Sequence, residues 1–266
     1  MTIDVSIITI NLNNASGLDK TIRSVISQAT QNYQYIVIDG ASTDGSIDII
    51  NKYREKIDYW ISERDAGIFN AMNKGIKQAK GKYCLFLNSG DFLASDNVLE
   101  KIFKQKIFTE PFINGHQIND FGDHQKRAVS VGRPLTLYDF YWGTIKHQAT
   151  LIRRDLFDKY GLYDESLKIV SDWKFFLQTI ILHNQQPAFV DIDIVIFDWF
   201  GISTNEKQKR LHDKEKQKVL DEFFPKPVQN DYIHFREMSN YTYIADTMKK
   251  SKVFSFIVKC LVKIFK

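Results

Sequence analysis

Cysteine is nearly missing from this chain. Only Cys84 and Cys260 occur among 266 residues, so neither a disulfide framework nor a cysteine-built metal site is available, and a reducing compartment fits. No run of about eighteen apolar residues occurs, so no membrane-spanning helix is expected. The opening residues MTIDVSIITI carry an acid at Asp4 and no basic flank, so export is not expected either. Two phosphate-binding signatures are absent as well. No G-x-G-x-x-G follows the first strand-like run, which weighs against a dinucleotide-dependent oxidoreductase. No G-x-x-x-x-G-K-[ST] occurs, which removes the P-loop class.

What is present is the composition of a globular protein, 44% hydrophobic and 26% charged, long enough for one large α/β domain with an appendage. An aromatic share of 14% leans toward binding surfaces. The formal charge of +4 is concentrated at one end: Lys249, Lys250, Lys252, Lys259, Lys263 and Lys266 fall in a tail without acids. The rest of the chain is slightly acidic, and nucleic acid is not an expected partner.

The stretch Ser62–Asp91 organises the remainder. Ile68, Met72, Ile76 and Ala79 recur at helical spacing, Gly81 stops the helix, and the wholly apolar run Tyr83–Leu87 follows. A strand without a polar face suits the middle of a parallel sheet, which helices cover on both sides. It ends in Asn88-Ser89-Gly90-Asp91, at the carboxyl edge where open α/β sheets take ligands. Val5–Ile10 and Tyr35–Ile38 are similar apolar runs. Each is followed by a polar turn and a helical pattern: Leu18, Ile22, Val25 and Ile26 after the first, Ile47, Ile49 and Ile50 after the second, where Asp44 or Ser46 can cap. Tyr59–Ile61 reads as a third short strand. This alternation predicts a doubly wound, mostly parallel central sheet flanked by helices.

Beyond Asp91 the expected elements are a helix around Asn97–Lys104, a β-excursion with loops over Gln117–Tyr141, a return strand at Thr150–Ile152, helices at Asp155–Tyr160 and Asp172–Leu182, a strand at Val190–Phe197 and a charged helix at Glu206–Phe224. Pro225-Lys226-Pro227 marks the end of the body. The expected domains are residues 1–224, with a nucleotide-binding half 1–91 and an acceptor half 92–224, and a helical extension 225–266. In the extension, Lys252, Ser255, Lys259, Lys263 and Lys266 fall on one helical stripe, with Val253, Phe254, Ile257, Val258, Leu261, Val262, Ile264 and Phe265 around the rest. A basic amphipathic helix over 252–266 binds a membrane surface in this reading; docking on the protein's own body is the alternative.

Asp39 and Asp91 each follow an apolar strand, so a parallel sheet brings them to one edge. Two acids there suit ribose hydroxyls or a hard divalent cation, which takes one or two protein carboxylates and fills its shell with water and phosphate oxygens. Asp39 is also a plausible turn and cap residue, and Lys74 a plausible solvated helix lysine. A phosphate ligand without a glycine-rich loop would have its charge neutralised by metal and by side chains such as Lys74, for which a solvated helix lysine is the plainer reading.

Taken together, Val5–Asn13, Asp39-Gly40-Ala41-Ser42-Thr43-Asp44-Gly45, Ser62-Glu63-Arg64-Asp65-Ala66-Gly67-Ile68, Ala71-Met72-Asn73-Lys74-Gly75-Ile76, Leu87-Asn88-Ser89-Gly90-Asp91, His147-Gln148-Ala149 and Ser171-Asp172-Trp173 resemble glycosyltransferase family 2. The resemblance is to its GT-A-fold bacterial members that build O-antigen, capsule and other surface polysaccharides, and it spans roughly Met1 to Gly201. It implies an inverting transferase that uses Mg²⁺ or Mn²⁺ to move sugar from a nucleotide-diphosphate sugar, expected to be a UDP-sugar, to a carbohydrate hydroxyl on a lipid-linked glycan. Such an enzyme works at the inner face of the cytoplasmic membrane.

The resemblance puts Asp39 against the base or ribose with Thr9 and Asn11 beside it, and adds Asp65, Asn73, Lys74 and Asn88 to the donor site. Asn88–Asp91 stands in the place of the metal-binding D-x-D, yet carries Asn88 and Gly90 where many relatives have acids, leaving Asp91 as the metal ligand. Asp172 falls at the place of the general base, which inversion by single displacement requires; a helix cap is its bland alternative. His147 matches a family motif and contacts diphosphate or acceptor in this reading, or is a structural histidine. Trp173 and Trp199 are sugar-stacking candidates, with a core role the plainer reading. Gly201-Ile202-Ser203-Thr204 resembles a segment that closes over bound donor. The alternatives are a sugar-phosphate nucleotidyltransferase, which would need a basic glycine-rich loop that Asn11–Gly17 does not offer, and an inactive carbohydrate-binding scaffold.

Overall fold

The structure, a computed structural model, describes residues 3–199 and 208–250, with side chains through residue 239. The tail 252–266 and Gly201-Ile202-Ser203-Thr204 lie outside the described residues.

The first apolar run forms β1 (Val5–Asn11), buried along its whole length. Then come α1 (Ala15–Ile26), β2 (Tyr33–Asp39), α2 (Ser46–Lys52), β3 (Tyr59–Ser62), α3 (Ile68–Gln78) and β4 (Tyr83–Phe86). These strands pair in parallel in the order β3-β2-β1-β4, the doubly wound arrangement that the alternation of periods predicts. Val5 and Ile7 share a core with Leu18, Ile22 and Val25 of α1 and Ile50 of α2. The opposite face receives α3, packed on β1 and β2. The approach is close: a Cβ on Gly75 would come within 2.4 Å of Ile8 Cγ2, so only glycine lets this helix lie on the strand.

The second half is mixed. It holds β5 (Phe92–Leu93), α4 (Val98–Phe103), β6 (Phe112–Asp120), β7 (Gln125–Ala128), α5 (Leu137–Trp142), β8 (Thr150–Arg153), α6 (Asp155–Tyr160), α7 (Ser171–Phe176), β9 (Ala188–Asp198), α8 (Lys209–Phe223) and α9 (Lys226–Lys250). Here β8 enters antiparallel between β4 and β6, β6 runs parallel to β9, β7 folds back on β6, and β5 pairs antiparallel with β9. The architecture is α/β, a central sheet flanked by helices with a helical C-terminal region. The expected helix Asp172–Leu182 is α7 continued by a wider π-helical turn, Leu177–Leu182. Pro225 ends one helix, and α9 starts at the next residue.

The chain groups into two compact units, Met1–Lys216 and Gln217–Lys266. Among the described residues no helix is long and apolar enough to cross a membrane.

Candidate active site

Where β1 and β2 end together, Asn11 is paired in register with Asp39. Asp39 is fully buried. Its Oδ1 accepts from Asn11 Nδ2 at 2.8 Å and Ser42 Oγ at 2.6 Å, and its Oδ2 from Ser42 N at 2.9 Å and Ser62 Oγ at 2.6 Å. Burial by itself would raise this carboxyl, but the donors from Ser42, Ser62 and Asn11 outweigh it and hold the group below the usual carboxylate range. Asp39 is thus an anion that ties three strand ends together, and Asn11 retains a buried Oδ1 without a hydrogen-bond partner. Asp65 lies against the same turn, its Oδ2 3.2 Å from where a Cβ on Gly40 would be. Lys74 Nζ stands 2.7 Å from both Glu63 Oε1 and Asp65 Oδ1, so a phosphate would compete with two carboxylates for it.

Three residues expected in the donor site are engaged by their surroundings. Thr9 is fully buried, its hydroxyl 3.1 Å from Tyr35 Oη. Asn73 spends its whole amide on the loop after α6, donating to Tyr163 O at 2.9 Å and Glu165 Oε1 at 2.8 Å while accepting from Tyr163 N at 3.0 Å. His147 is 5% exposed, stacks on Phe86 with ring centroids 4.8 Å apart, and lies 2.8 Å from Tyr163 Oη through Nε2. Burial pushes its imidazole down to about 3, so it is a neutral member of an aromatic cluster that includes Phe157, Phe175 and Phe176. Trp173 is likewise a core residue, its Nε1 donating to Phe140 O at 3.0 Å and Gly143 O at 3.1 Å. Trp199 is 37% exposed and packs its ring 4.8 Å from Phe121.

The turn 88–91 leaves the same edge on the other side of β1, with Ser89 N bonded to Ile10 O at 3.0 Å. Two residues of α1 and its cap hold it: Asn14 Nδ2 donates to Ser89 O at 2.9 Å, and Thr21 Oγ1 donates to Asp91 O at 2.7 Å while accepting from Gly90 N at 3.0 Å. Sequence reasoning passed over both; Asn14 had the signal of a cap preceding a helix. Asp91 is 3% exposed. Its Oδ1 accepts from Asp198 N at 3.0 Å, but its Oδ2 is buried without a partner, and so is Asn88 Oδ1. Burial pushes the Asp91 carboxyl up to about 7, and the charge of Asp198 adds to this, while backbone N–H groups and Lys20 pull it down. A buried carboxylate oxygen and a buried amide oxygen left without donors are what a hard divalent cation takes, so these residues fit Mg²⁺ or Mn²⁺. Among the described residues no cluster of three or more His, Cys, Asp or Glu could cage a metal.

Asp172 stands in the first turn of α7. It makes no hydrogen bond to another side chain among the described residues, and burial pushes its carboxyl up to about 6 against the pull of nearby backbone N–H groups and His212. It lies within electrostatic reach of Tyr163, whose ring is 5.6 Å from that of Phe86 in β4. The turn that leads into α7 is held from α8. Glu215, itself buried, accepts from the backbone N–H of Lys168 at 2.8 Å, Ile169 at 2.9 Å and Val170 at 3.3 Å. Sequence reasoning saw only a charged helix there. A cavity of about 230 Å³ opens elsewhere, lined by Asn114, Leu135, Phe140 and Ile145 among others and by none of these aspartates.

The profile of Glycosyl transferase family 2 matches residues 6–163, more than half of the chain. The chain belongs to this family. Among the proteins that this family 2 member resembles is an uncharacterized glycosyltransferase of Mycobacterium tuberculosis, 28% identical over 249 residues that cover 89% of this chain and 92% of the relative. A PGL/p-HBAD biosynthesis glycosyltransferase of Mycobacterium bovis is 27% identical over 232 residues, covering 81% and 83%. In structure the family 2 chain is similar to S. aureus TarS 1–349 in complex with UDP, with a TM-score of 0.60 and 20% identity, across 73% of this chain and 60% of that one. It is also similar to the mannosyltransferase PcManGT from Pyrobaculum calidifontis in complex with GDP-Man and Mn²⁺, with a TM-score of 0.56 and 15% identity, across 74% and 57%. At these identities the structural likenesses establish the fold. The family 2 chain is a glycosyltransferase.

Proposed function

We propose that the protein transfers a sugar, with inversion, from a nucleotide-diphosphate sugar to a hydroxyl of a lipid-linked glycan, at the inner face of the cytoplasmic membrane and in the assembly of a surface polysaccharide. The observation that carries this is Asp172: a carboxylate with no described side-chain partner, pushed up to about 6 and held at the head of α7 beside the cluster that backs β4. A group with that pKa is deprotonated near neutral pH and still basic enough to take the acceptor hydroxyl's proton as the oxygen attacks the anomeric carbon. Asn11, with its spare Oδ1, and the Asp39–Ser42 turn receive the nucleoside. Asn88 Oδ1 and Asp91 Oδ2 would hold the divalent cation. When bound, it supplies charge neutralisation for the departing diphosphate.

The complexes of similar structures with UDP and with GDP-Man and Mn²⁺ support a nucleotide-sugar donor; a UDP-sugar remains our choice. The relatives are named for PGL/p-HBAD biosynthesis or are uncharacterized, so the O-antigen or capsule acceptor rests on the motif resemblance alone. The test is a thermal-shift screen of the purified protein against nucleotide-sugars with Mn²⁺, followed by transfer assays with the donor it selects. Asp172→Asn is expected to abolish transfer and spare donor binding. Turnover by this variant at the wild-type rate would overturn the base assignment, and an anomeric configuration retained in the product would overturn inversion.

A further inference from the structure

The turn at 88–91 is short of acids for a cation that neutralises a diphosphate, because positions 88 and 90 hold Asn and Gly. The fold brings another acid to the same place. Just after Asp91 the chain enters β5, which pairs antiparallel with β9 in the register Phe92↔Ile196 and Leu93↔Val195. Continuing that register back past the ladder sets Asp91 opposite Phe197 and Gly90 opposite Asp198.

The contacts agree. Asp198 N donates to Asp91 Oδ1 at 3.0 Å. The Asp198 carboxylate also lies over Gly90: a Cβ built there would be 3.1 Å from Asp198 Oδ2. Gly90 has φ +110°, a conformation that a side-chain-bearing residue rarely adopts. Glycine therefore leaves open the space that an acid at 90 would fill, and the carboxylate of Asp198 reaches into it from the neighbouring strand. In the same turn, the acceptors Asp91 Oδ2 and Asn88 Oδ1 are buried without hydrogen-bond partners.

We infer that Asp198 is the second carboxylate of the cation site in this chain, supplied across the β5–β9 ladder in place of the acid missing at position 90, and that with Asp91 and Asn88 it holds a hard divalent cation against a nucleoside diphosphate. Two carboxylates and a neutral oxygen are within what such a cation takes from protein, the rest of its shell being water and phosphate oxygens. This inference rests on the reading of Asp91 as a cation ligand given above and extends it to a residue outside the D-x-D place.

The experiment measures Mn²⁺ affinity of the full chain in saturating UDP, by the electron paramagnetic resonance signal of free Mn²⁺ and by calorimetry, for wild type, Asp198→Asn, Asp198→Ala and Asp91→Asn. Circular dichroism checks that each variant is folded. Both Asp198 variants are expected to weaken Mn²⁺ binding by about tenfold or more, at least the loss produced when a supporting neighbour of a metal ligand is removed. Wild-type Mn²⁺ affinity in both Asp198 variants, with a loss in Asp91→Asn, would overturn the inference and leave the Asp91 assignment standing. Unchanged affinity in all three would overturn both.

Discussion

Glu215 on α8 accepts the backbone N–H of Ile169 at 2.9 Å and those of Lys168 and Val170 on either side, so one buried carboxylate anchors the turn from which Asp172 rises. These N–H groups precede the first turn of α7 and would otherwise be without partners. Glu215→Ala is expected to lower stability by about 1–3 kcal/mol, since it leaves buried donors unmet. It should also lower kcat by about tenfold or more with little change in donor KM, because it displaces a proton acceptor and not a donor contact. Urea unfolding and steady-state kinetics check both; a wild-type kcat in this variant would remove Glu215 from the positioning of the base.

The pH profile follows from Asp172. With its carboxyl pushed up to about 6, kcat/KM should be flat near neutrality and fall about tenfold per pH unit below about 6, as protonation removes the base. Profiles measured from pH 5 to 8 with a saturating metal check this. An acidic limb centred near 4, the ordinary carboxylate range, would show that Asp172 is not the group titrating.

Stability toward acid should depend on His147. Its imidazole is held down to about 3, from an ordinary 6.5, by burial among aromatic rings. Below about 6.5 the unfolded chain takes up a proton that the folded chain refuses until about 3. This residue therefore costs roughly 1.4 kcal/mol of stability per pH unit as pH falls through that window. His147→Gln, which can still hydrogen-bond Tyr163, lacks this cost. Its stability deficit relative to wild type should shrink steadily from pH 7 to pH 4 in denaturant titrations, and a deficit constant with pH would show that His147 takes up its proton in the fold as readily as in the unfolded chain.

The basic tail makes a prediction from sequence alone. Deleting Val253–Lys266 removes the apolar positions and three of the lysines that face anionic headgroups. The protein is expected to move from the membrane pellet to the soluble fraction of a low-salt lysate, and unchanged partitioning would favour a helix docked on its own body.

The alternation of strand and helix through Asp91 was legible in the sequence, because each element carries its own period: the apolar runs at Val5 and Tyr83 and the helical stripe of Ile68, Met72 and Ile76 are local patterns that need no partner to be read. The same holds for Asn88–Asp91 and the Asp39 turn as strand ends at one edge. Tertiary structure alone decided how the polar residues are used. Asn73 and Thr9 have the same side chains whether they face a ligand or a neighbouring loop, and the fold commits them to Tyr163, Glu165 and Tyr35. The two-residue strand β5 is too short to show any period, yet it sets Gly90 against Asp198. Glu215 reaches the turn before Asp172 from more than forty residues away. Such pairings join positions remote along the chain, and a hydrogen bond or shared register between them leaves no mark in the local spacing of apolar residues.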